Sequence, residues 1–162
     1  MVILGVDPGS MRTGYGAIDT DGRRHRLVET GFLAPSPRLA LPERLHHIHD
    51  GVARLIARLR PDVLAVEDVF HAVNTRTALV LGHVRGVVLL AGAEAGLPVH
   101  EFPPATVKQQ VTGFGRADKG QVAFMVARLL DLPGHGEAGD AADALAVALC
   151  HAHLSQTAGI PS

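Results

Sequence analysis

The sequence predicts a single α/β domain in which a mixed β-sheet carries helices on both faces. Apolar, β-branched runs of strand length alternate with segments whose apolar residues recur every three or four positions, as in amphipathic helices. The chain has 162 residues, of which 47% are hydrophobic, and this is the size of one ordinary domain. No linker or internal repeat divides it, so we expect one domain over 1–154 and a flexible C-terminal tail over 155–162.

Turn signals and changes of apolar period set the bounds of the elements. The first strand ends at Asp7-Pro8-Gly9, and the Asp21-Gly22 turn joins the second strand to the third. One helical crossover then leads to the fourth strand, so the strands at 2–6 and 63–67 are expected to be parallel neighbours. The predicted strands cover 2–6, 14–19, 26–33, 63–67 and 97–102, and the predicted helices cover 41–59, 75–95, 105–112, 119–130 and 140–153.

Composition excludes several classes of protein. A formal net charge of -1 argues against a histone-like basic binder and against an acidic disordered tail. Cys150 is the one cysteine, so an intrachain disulfide and a cysteine-rich zinc site are both excluded. The N-terminus lacks the pattern of a signal peptide, and no apolar run approaches the roughly 20 residues of a membrane span. A soluble, reduced, cytoplasmic protein is therefore expected.

Two acidic residues end strands that are otherwise apolar. Asp7 follows the first strand, and Glu67 ends the fourth. If these strands are parallel neighbours, the two carboxylates lie side by side at one edge of the sheet, where they repel each other unless a cation is present. Either acid alone could instead cap a turn or a helix, but the pair favours a functional site.

A second acidic pair opens the last predicted helix. Asp140 and Asp143 are spaced i, i+3 and therefore project from one face of an Ala- and Leu-rich helix. Favourable placement in the helix dipole explains Asp140 but explains Asp143 less well, because Asp143 lies one turn inside the helix, beside the core.

Carboxylate oxygens are the ligands that Mg²⁺ and Mn²⁺ prefer. Paired ions about 3.5–4 Å apart stabilise the attacking and leaving oxygens in phosphoryl chemistry. Asp7, Glu67, Asp140 and Asp143 therefore predict an enzyme that acts on phosphodiesters with a divalent cation.

A series of motifs in fixed order resembles the RuvC family of Holliday-junction resolvases. Each motif is weak by itself, but the ordered set spans residues 2 to 153. The matching segments are Ile3 to Ser10, Thr13 to Gly16, Ala65 to Glu67 with Val69-Phe70, Gly82 to Gly86, Val107-Lys108-Gln109, Thr112 to Gly115 with Lys119 and Gln121-Val122, and Asp140 to Ala146.

The resemblance implies a ribonuclease H-like fold with a five-stranded mixed sheet, and a homodimer that cuts four-way DNA junctions. It implies that two strands of like polarity are nicked by attack of metal-activated water, in recombination and DNA repair. By position, the catalytic metal ligands would be Asp7, Glu67, Asp140 and Asp143. The expected cofactor is Mg²⁺ or Mn²⁺, with two ions per active site. The resemblance also implies the branch-migration proteins RuvA and RuvB as partners.

Further residues are candidates for DNA contacts. Lys108 and Lys119 match family positions near DNA phosphate, and Phe70 matches an aromatic position that stacks on bases near the crossover. The residues alone suggest Arg12, Arg76, Arg85 and Arg116 along a DNA path, with Arg76 favoured because it opens the helix that follows Phe70.

Two features lie outside the family pattern or its site. Asp68 departs from the pattern and adds a fifth carboxylate without an assigned ligand role. His151 and His153 are interpreted as partners of a helix C-terminus rather than metal ligands.

Three other readings compete with this one. The Asp7-Pro8-Gly9-Ser10 segment also resembles the phosphate loop of actin-like ATPases and sugar kinases, which need two such domains around the nucleotide. A junction-binding module without activity would not need acids at all four positions. A ribonuclease H-type nuclease with another substrate shares the acids but not the whole ordered pattern.

Overall fold

A computed structural model describes residues 1–9, 11–68, 74–132 and 141–158 of the chain, with only the backbone of 157 and 158. The strands are β1 (Val2–Asp7), β2 (Thr13–Thr20), β3 (His25–Leu33), β4 (Val63–Glu67) and β5 (Val99–Phe102). The helices are α1 (Leu41–Leu59), α2 (Thr75–Glu94), α3 (Pro104–Thr112), α4 (Lys119–Leu129) and α5 (Ala142–Ala158).

The five strands form one mixed sheet in the order β3-β2-β1-β4-β5. β1 pairs antiparallel with β2 and β2 with β3, whereas β1 with β4 and β4 with β5 are parallel. The prediction that the first and fourth strands are parallel neighbours is confirmed, and so is the mixed sheet with helices on both faces. This register brings the carboxyl ends of β1 and β4 to the same edge of the sheet.

Two hydrophobic cores fill the space on either side of the sheet. On one side, α1 and α2 cover the sheet through buried residues such as Val52 and Val88, while on the other α3, α4 and α5 enclose residues such as Val126 and Leu149. β1 lies between these cores and is therefore buried on both faces, which explains why its sequence is apolar without alternation.

Two glycines allow α5 to lie directly on the sheet. A Cβ atom on Gly5 would lie 2.1 Å from the Ala144 carbonyl oxygen, and one on Gly16 would lie 2.6 Å from Cδ2 of Leu145. Only the absence of side chains at these positions permits such a close approach. The first turn of α5 is thereby held over the end of β1, which decides where Asp143 lies.

The end of α5 differs from the prediction. The helix continues to Ala158 rather than ending at His153, so the predicted end of the last helix is wrong. His151 consequently lies inside the helix, not at its end. Its side chain is only 1% exposed and packs against His100 and Phe102, so the predicted role as a partner of the helix terminus is wrong for this residue.

The expectation that no apolar segment approaches the length of a membrane span is wrong for α2. By length and composition alone, this 20-residue helix is apolar enough to cross a membrane. Val84, Val88 and Ala91 nevertheless belong to the core shared with α1, and Arg85 forms ion pairs with Asp68, which follows β4, and with Glu101 of β5. Leu79 and Leu90 are exposed on the same helix.

Candidate active site

The site begins with two acids at the ends of neighbouring parallel strands. Val6 of β1 is paired with Val66 of β4, and Asp7 and Glu67 each follow by one residue. The two side chains are hydrogen-bonded to each other. The sequence-based prediction that these strands bring the two acids together is thus met by the geometry.

Burial and neighbouring negative charges make both acids hold protons more tightly than free carboxyl groups. Burial is the main cause that raises the pKa of Asp7, and the charge of Asp143 adds to it. Burial also raises the pKa of Glu67 to about 8, with the nearby charge of Asp7 as the next cause. In the absence of a cation the Asp7–Glu67 pair therefore retains a proton at neutral pH.

α5 supplies a third acid, and α4 supplies a cation beside it. Asp143 lies in the first turn of α5, and the Nζ atom of Lys119 donates a hydrogen bond to its Oδ2 atom at 3.0 Å. This hydrogen bond, and next the charge of Asp143, raise the pKa of Lys119. Lys119 sits at the N-terminus of α4, whose start is determined by reciprocal hydrogen bonds between Asp118 and Gln121.

These side chains line a cleft of about 360 Å³. Asp7 lies on the sheet side of the cleft, and Asp143 and Lys119 lie on the helical side. The cleft is lined by Asp7, Arg12, Gly14, Phe32, Lys119, Gly120, Ala123, Ala142 and Asp143.

The donors in this region have the chemistry of a hard-cation site. Asp7, Glu67 and Asp143 offer only carboxylate oxygens, and a divalent cation would relieve the repulsion that raises the pKa values of Asp7 and Glu67. Within the described ranges, however, no three Asp, Glu, His or Cys side chains are close enough together to hold a metal ion by themselves. Asp140, the fourth predicted ligand, and Phe70, the predicted stacking residue, lie outside the described residues.

Asp68, the fifth acid, forms an ion pair outside the cleft. Its carboxylate lies 3.4 Å from Nε of Arg85, and the Arg85 guanidinium also donates to Glu101 on β5. The Asp68 backbone N–H donates to the Phe102 carbonyl and extends the pairing of β4 with β5. Asp68 and Arg85 thus tie α2 to the sheet, which gives both residues a structural role.

The remaining predicted DNA contacts are spread beyond the cleft. Lys108 lies on α3, and Arg76 is exposed in the first turn of α2. Neither lines the cleft that contains Asp7.

Phe32 is a cleft residue that the sequence analysis did not single out. The signal that could have found it is strand register, because Asp7 pairs with Gly14 and Gly14 pairs with Phe32. These residues therefore form one row across three strands, and a row of this kind can be inferred only once both pairings are known.

A mixed sheet with acids at the ends of adjacent strands and a helical acid facing them is the arrangement of nucleases with the ribonuclease H-like fold. A family model for crossover junction endodeoxyribonuclease RuvC matches residues 3–151. The chain belongs to this family.

Individual relatives are similar to this protein along nearly the whole chain. A crossover junction endodeoxyribonuclease RuvC from Desulforamulus reducens is 49% identical over 159 residues, which cover 98% of each chain. One from Halorhodospira halophila is 56% identical over 151 residues, or 93% of this chain and 89% of the relative. The structure of T. thermophilus RuvC in complex with a Holliday junction substrate matches with a TM-score of 0.90 and 37% identity, covering 97% of this chain and 96% of that one.

Proposed function

We propose that this chain is a structure-selective endonuclease that resolves four-way DNA (Holliday) junctions by hydrolysis in recombination and DNA repair. The observation that carries the proposal is the half-buried Asp7–Glu67 pair at the sheet edge, with Asp143 facing it from α5. Membership of the family and the likeness to T. thermophilus RuvC, which was solved with a Holliday junction substrate, supply the substrate class. In this proposal the nuclease domain comprises residues 1–154.

The reaction would depend on divalent cations held by Asp7, Glu67, Asp140 and Asp143. The all-oxygen donor set favours Mg²⁺ or Mn²⁺, with two ions per site. When bound, such ions activate water and stabilise the negative charge that develops on the oxygens of the scissile phosphate. Glu67 must lose its proton for the site to load, because a ligand carboxylate binds as the anion.

Lys119 has a separate role in this proposal. Its side chain is 87% exposed, although its Nζ atom is bonded to Asp143. It can therefore turn from Asp143 to a phosphate oxygen of the bound strand without burying a charge. Lys108, Arg76 and Phe70 would contact the DNA farther from the scissile bond.

A homodimer would place two such sites on one junction. The exposed side of α2 presents Leu79, Gly82, Gly86 and Leu90 at helical spacing. Nothing lies within 4 Å of a Cβ atom added to Gly82 or Gly86, so this side of the helix is open. Small residues flanked by leucines suit close contact with a second copy, and a two-fold axis through this contact would relate the two sites.

Symmetric sites explain how two strands of like polarity are nicked. The ends left by such cuts can be ligated directly. We also propose a cytoplasmic location and cooperation with the branch-migration proteins RuvA and RuvB.

Cleavage of a synthetic four-way junction tests the proposal. The wild type is compared with Asp7→Asn and Glu67→Gln in Mg²⁺, Mn²⁺ or chelator, and linear duplex of the same sequence is the substrate control. Asp50→Asn is the matched control variant, because Asp50 is an acid on α1 that pairs with Arg54 outside the cleft.

We expect the wild type and Asp50→Asn to cut the junction in either metal, while both site variants bind it without cutting. Cutting in chelator, or equal cutting by all four proteins, would contradict the proposed mechanism. Hydrolysis of ATP without DNA cleavage would favour the kinase-like alternative.

A further inference from the structure

Three strands place Asp7, Gly14 and Phe32 in one cross-strand row. Asp7 of β1 is paired with Gly14 of β2, and Gly14 is paired with Phe32 of β3. Paired residues point to the same face of a sheet, and neighbouring strands are about 4.8 Å apart. Phe32 therefore stands about 10 Å from Asp7 on the face that carries the cleft.

Gly14 keeps the space between these two side chains open. A Cβ atom on Gly14 would lie 3.8 Å from Cβ of Asp7 and 3.8 Å from Cε1 of Phe32. Any longer side chain would fill the gap. The missing side chain at Gly14 thus provides the floor of the cleft, with Asp7 and Phe32 as its sides.

The Phe32 ring supports a guanidinium group. Cζ of Arg12 lies 4.7 Å from the centroid of the ring, and both residues line the cleft with Asp7. The Phe32 side chain is 38% exposed, so its ring is available at the surface instead of being committed to the core. Stacking on an aromatic ring restricts the many rotamers of an arginine and keeps its donors aimed in a defined direction.

Arg12 and Lys119 stand on different walls of the same cleft. Lys119 belongs to α4, whereas Arg12 precedes β2 and rests on β3. A DNA strand that enters the cleft carries a phosphate at every nucleotide, and the planar fork of arginine donors matches phosphate oxygens.

We infer that Arg12, held over the ring of Phe32, is a positioning residue that binds a backbone phosphate of the strand being cut, next to the scissile phosphate. The inference rests on the proposed nuclease function. Arg12 acts by fixing the register of the strand in the cleft, and Phe32 acts only through Arg12.

The test compares Arg12→Gln, Phe32→Leu and the double variant with the wild type. Arg26→Gln is the matched control, because Arg26 is an exposed arginine paired with Asp19 at the other end of the β2–β3 ribbon. Junction affinity is measured over a range of salt concentrations in the Asp7→Asn background, where the strand is not cut. Single-turnover cleavage is measured in the otherwise wild-type protein.

We expect Arg12→Gln to weaken binding about three- to tenfold and to reduce the slope of log K against log salt by about 0.9, the value for one lost phosphate contact. The enzyme concentration for half-maximal cleavage should rise in proportion, while the rate at saturation changes little. Phe32→Leu should weaken binding less than Arg12→Gln, and it should have no effect when Arg12 is already glutamine.

Two outcomes would overturn the inference. An Arg12→Gln variant with the affinity and salt slope of Arg26→Gln would show that Arg12 does not contact phosphate. An equal effect of Phe32→Leu with and without Arg12 would show that the ring does not act through the arginine. In both cases the wild type still cuts the junction, whereas a wild type that neither binds nor cuts it would instead refute the proposed function.

Discussion

Asp7 and Glu67 share a hydrogen bond at the ends of two parallel strands, where burial raises the pKa of both carboxyl groups. In the absence of a cation the pair holds a proton that would be lost from two solvent-exposed carboxylates at neutral pH. The site is therefore electrostatically unfavourable when both groups are ionised, and a divalent cation removes that cost.

Stability without metal should depend on this proton. Glu67 has its pKa raised to about 8 in the folded chain, against 4.5 for a free glutamate side chain. Between these values the folded state keeps a proton that the unfolded state has lost, so stability falls as pH rises through this window. We expect a loss on the order of 2–4 kcal/mol in chelator between pH 5 and pH 8.5.

Glu67→Gln should remove most of this pH dependence, and Mg²⁺ should stabilise the wild type more at pH 8.5 than at pH 6. Urea unfolding at each pH, with chelator or Mg²⁺, measures both effects. An unchanged slope in Glu67→Gln would show that Glu67 does not hold the proton.

Replacing Lys119 should slow cleavage of the junction while leaving the stability of the fold nearly unchanged. Lys119 is highly exposed, so Lys119→Gln should leave the melting temperature nearly unchanged. Loss of a positive charge next to the scissile phosphate should slow cleavage about 10–100-fold at saturating enzyme. Lys119→Arg should recover part of the rate. Arg128→Gln, in the last turn of the same helix, is the control, and a slowing equal to that of Lys119→Gln would indicate a general charge effect.

Acidic substitutions on the open side of α2 should separate the two subunits. Leu79 is 60% exposed and Leu90 is 50% exposed, so a glutamate at either position costs little in an isolated subunit. In a dimer it would bury a charge at the contact. We expect Leu79→Glu to be monomeric by analytical ultracentrifugation and to lose paired nicking of the junction. Val28→Glu, another exposed apolar position on β3, should remain dimeric; a monomeric wild type would reject the homodimer.

A methyl group on Gly5 should dislodge α5. The added Cβ would meet the backbone of Ala144 and Ala148, which cannot move without the whole helix. We expect Gly5→Ala to cost about 3 kcal/mol or more, or to prevent folding, because overpacking a backbone contact is costly. In the Leu79→Glu background, which removes the proposed subunit contact, Gly82→Ala places the same methyl group in open space and should be neutral or stabilising by up to about 1 kcal/mol. Thermal unfolding measures the stability of both variants, and an equal change in melting temperature would contradict the packing argument.

His151 should make the protein sensitive to acid. Burial, and secondarily His100, lower the pKa of His151 to about 4. Between that value and 6.5 the unfolded chain binds a proton that the folded chain excludes, so stability falls as pH drops through this window. We expect a loss of about 2 kcal/mol at pH 5, relative to pH 7, that is absent in His151→Leu. Urea unfolding at both pH values measures it, with His46→Gln as the exposed control; a loss that persists in His151→Leu would assign it to other groups.

Much of the fold was predictable because its signals are local. The unbroken apolar runs of β1 and β4 marked strands buried on both faces, and the crossover through α1 predicted that they are parallel neighbours. The position of Asp7 and Glu67 followed, since acids at the same ends of neighbouring parallel strands lie side by side. The end of α5 was placed too early because its polar last turn resembles a tail, whereas Gln156 bonds back to the Ala152 carbonyl within the helix.

The sequence by itself thus determined the sheet, the strand-end acids and their chemistry, because each depends on residue type and on short-range periodicity. Only the tertiary structure decided that Lys119 meets Asp143, that Arg85 pairs with Asp68, and that Arg12 rests on Phe32. These contacts join residues from different elements, and they depend on strand register and on how closely α5 approaches the sheet. Such geometry is set by the packing of the whole domain, so a charge or an aromatic ring acquires its role only when the chain has folded.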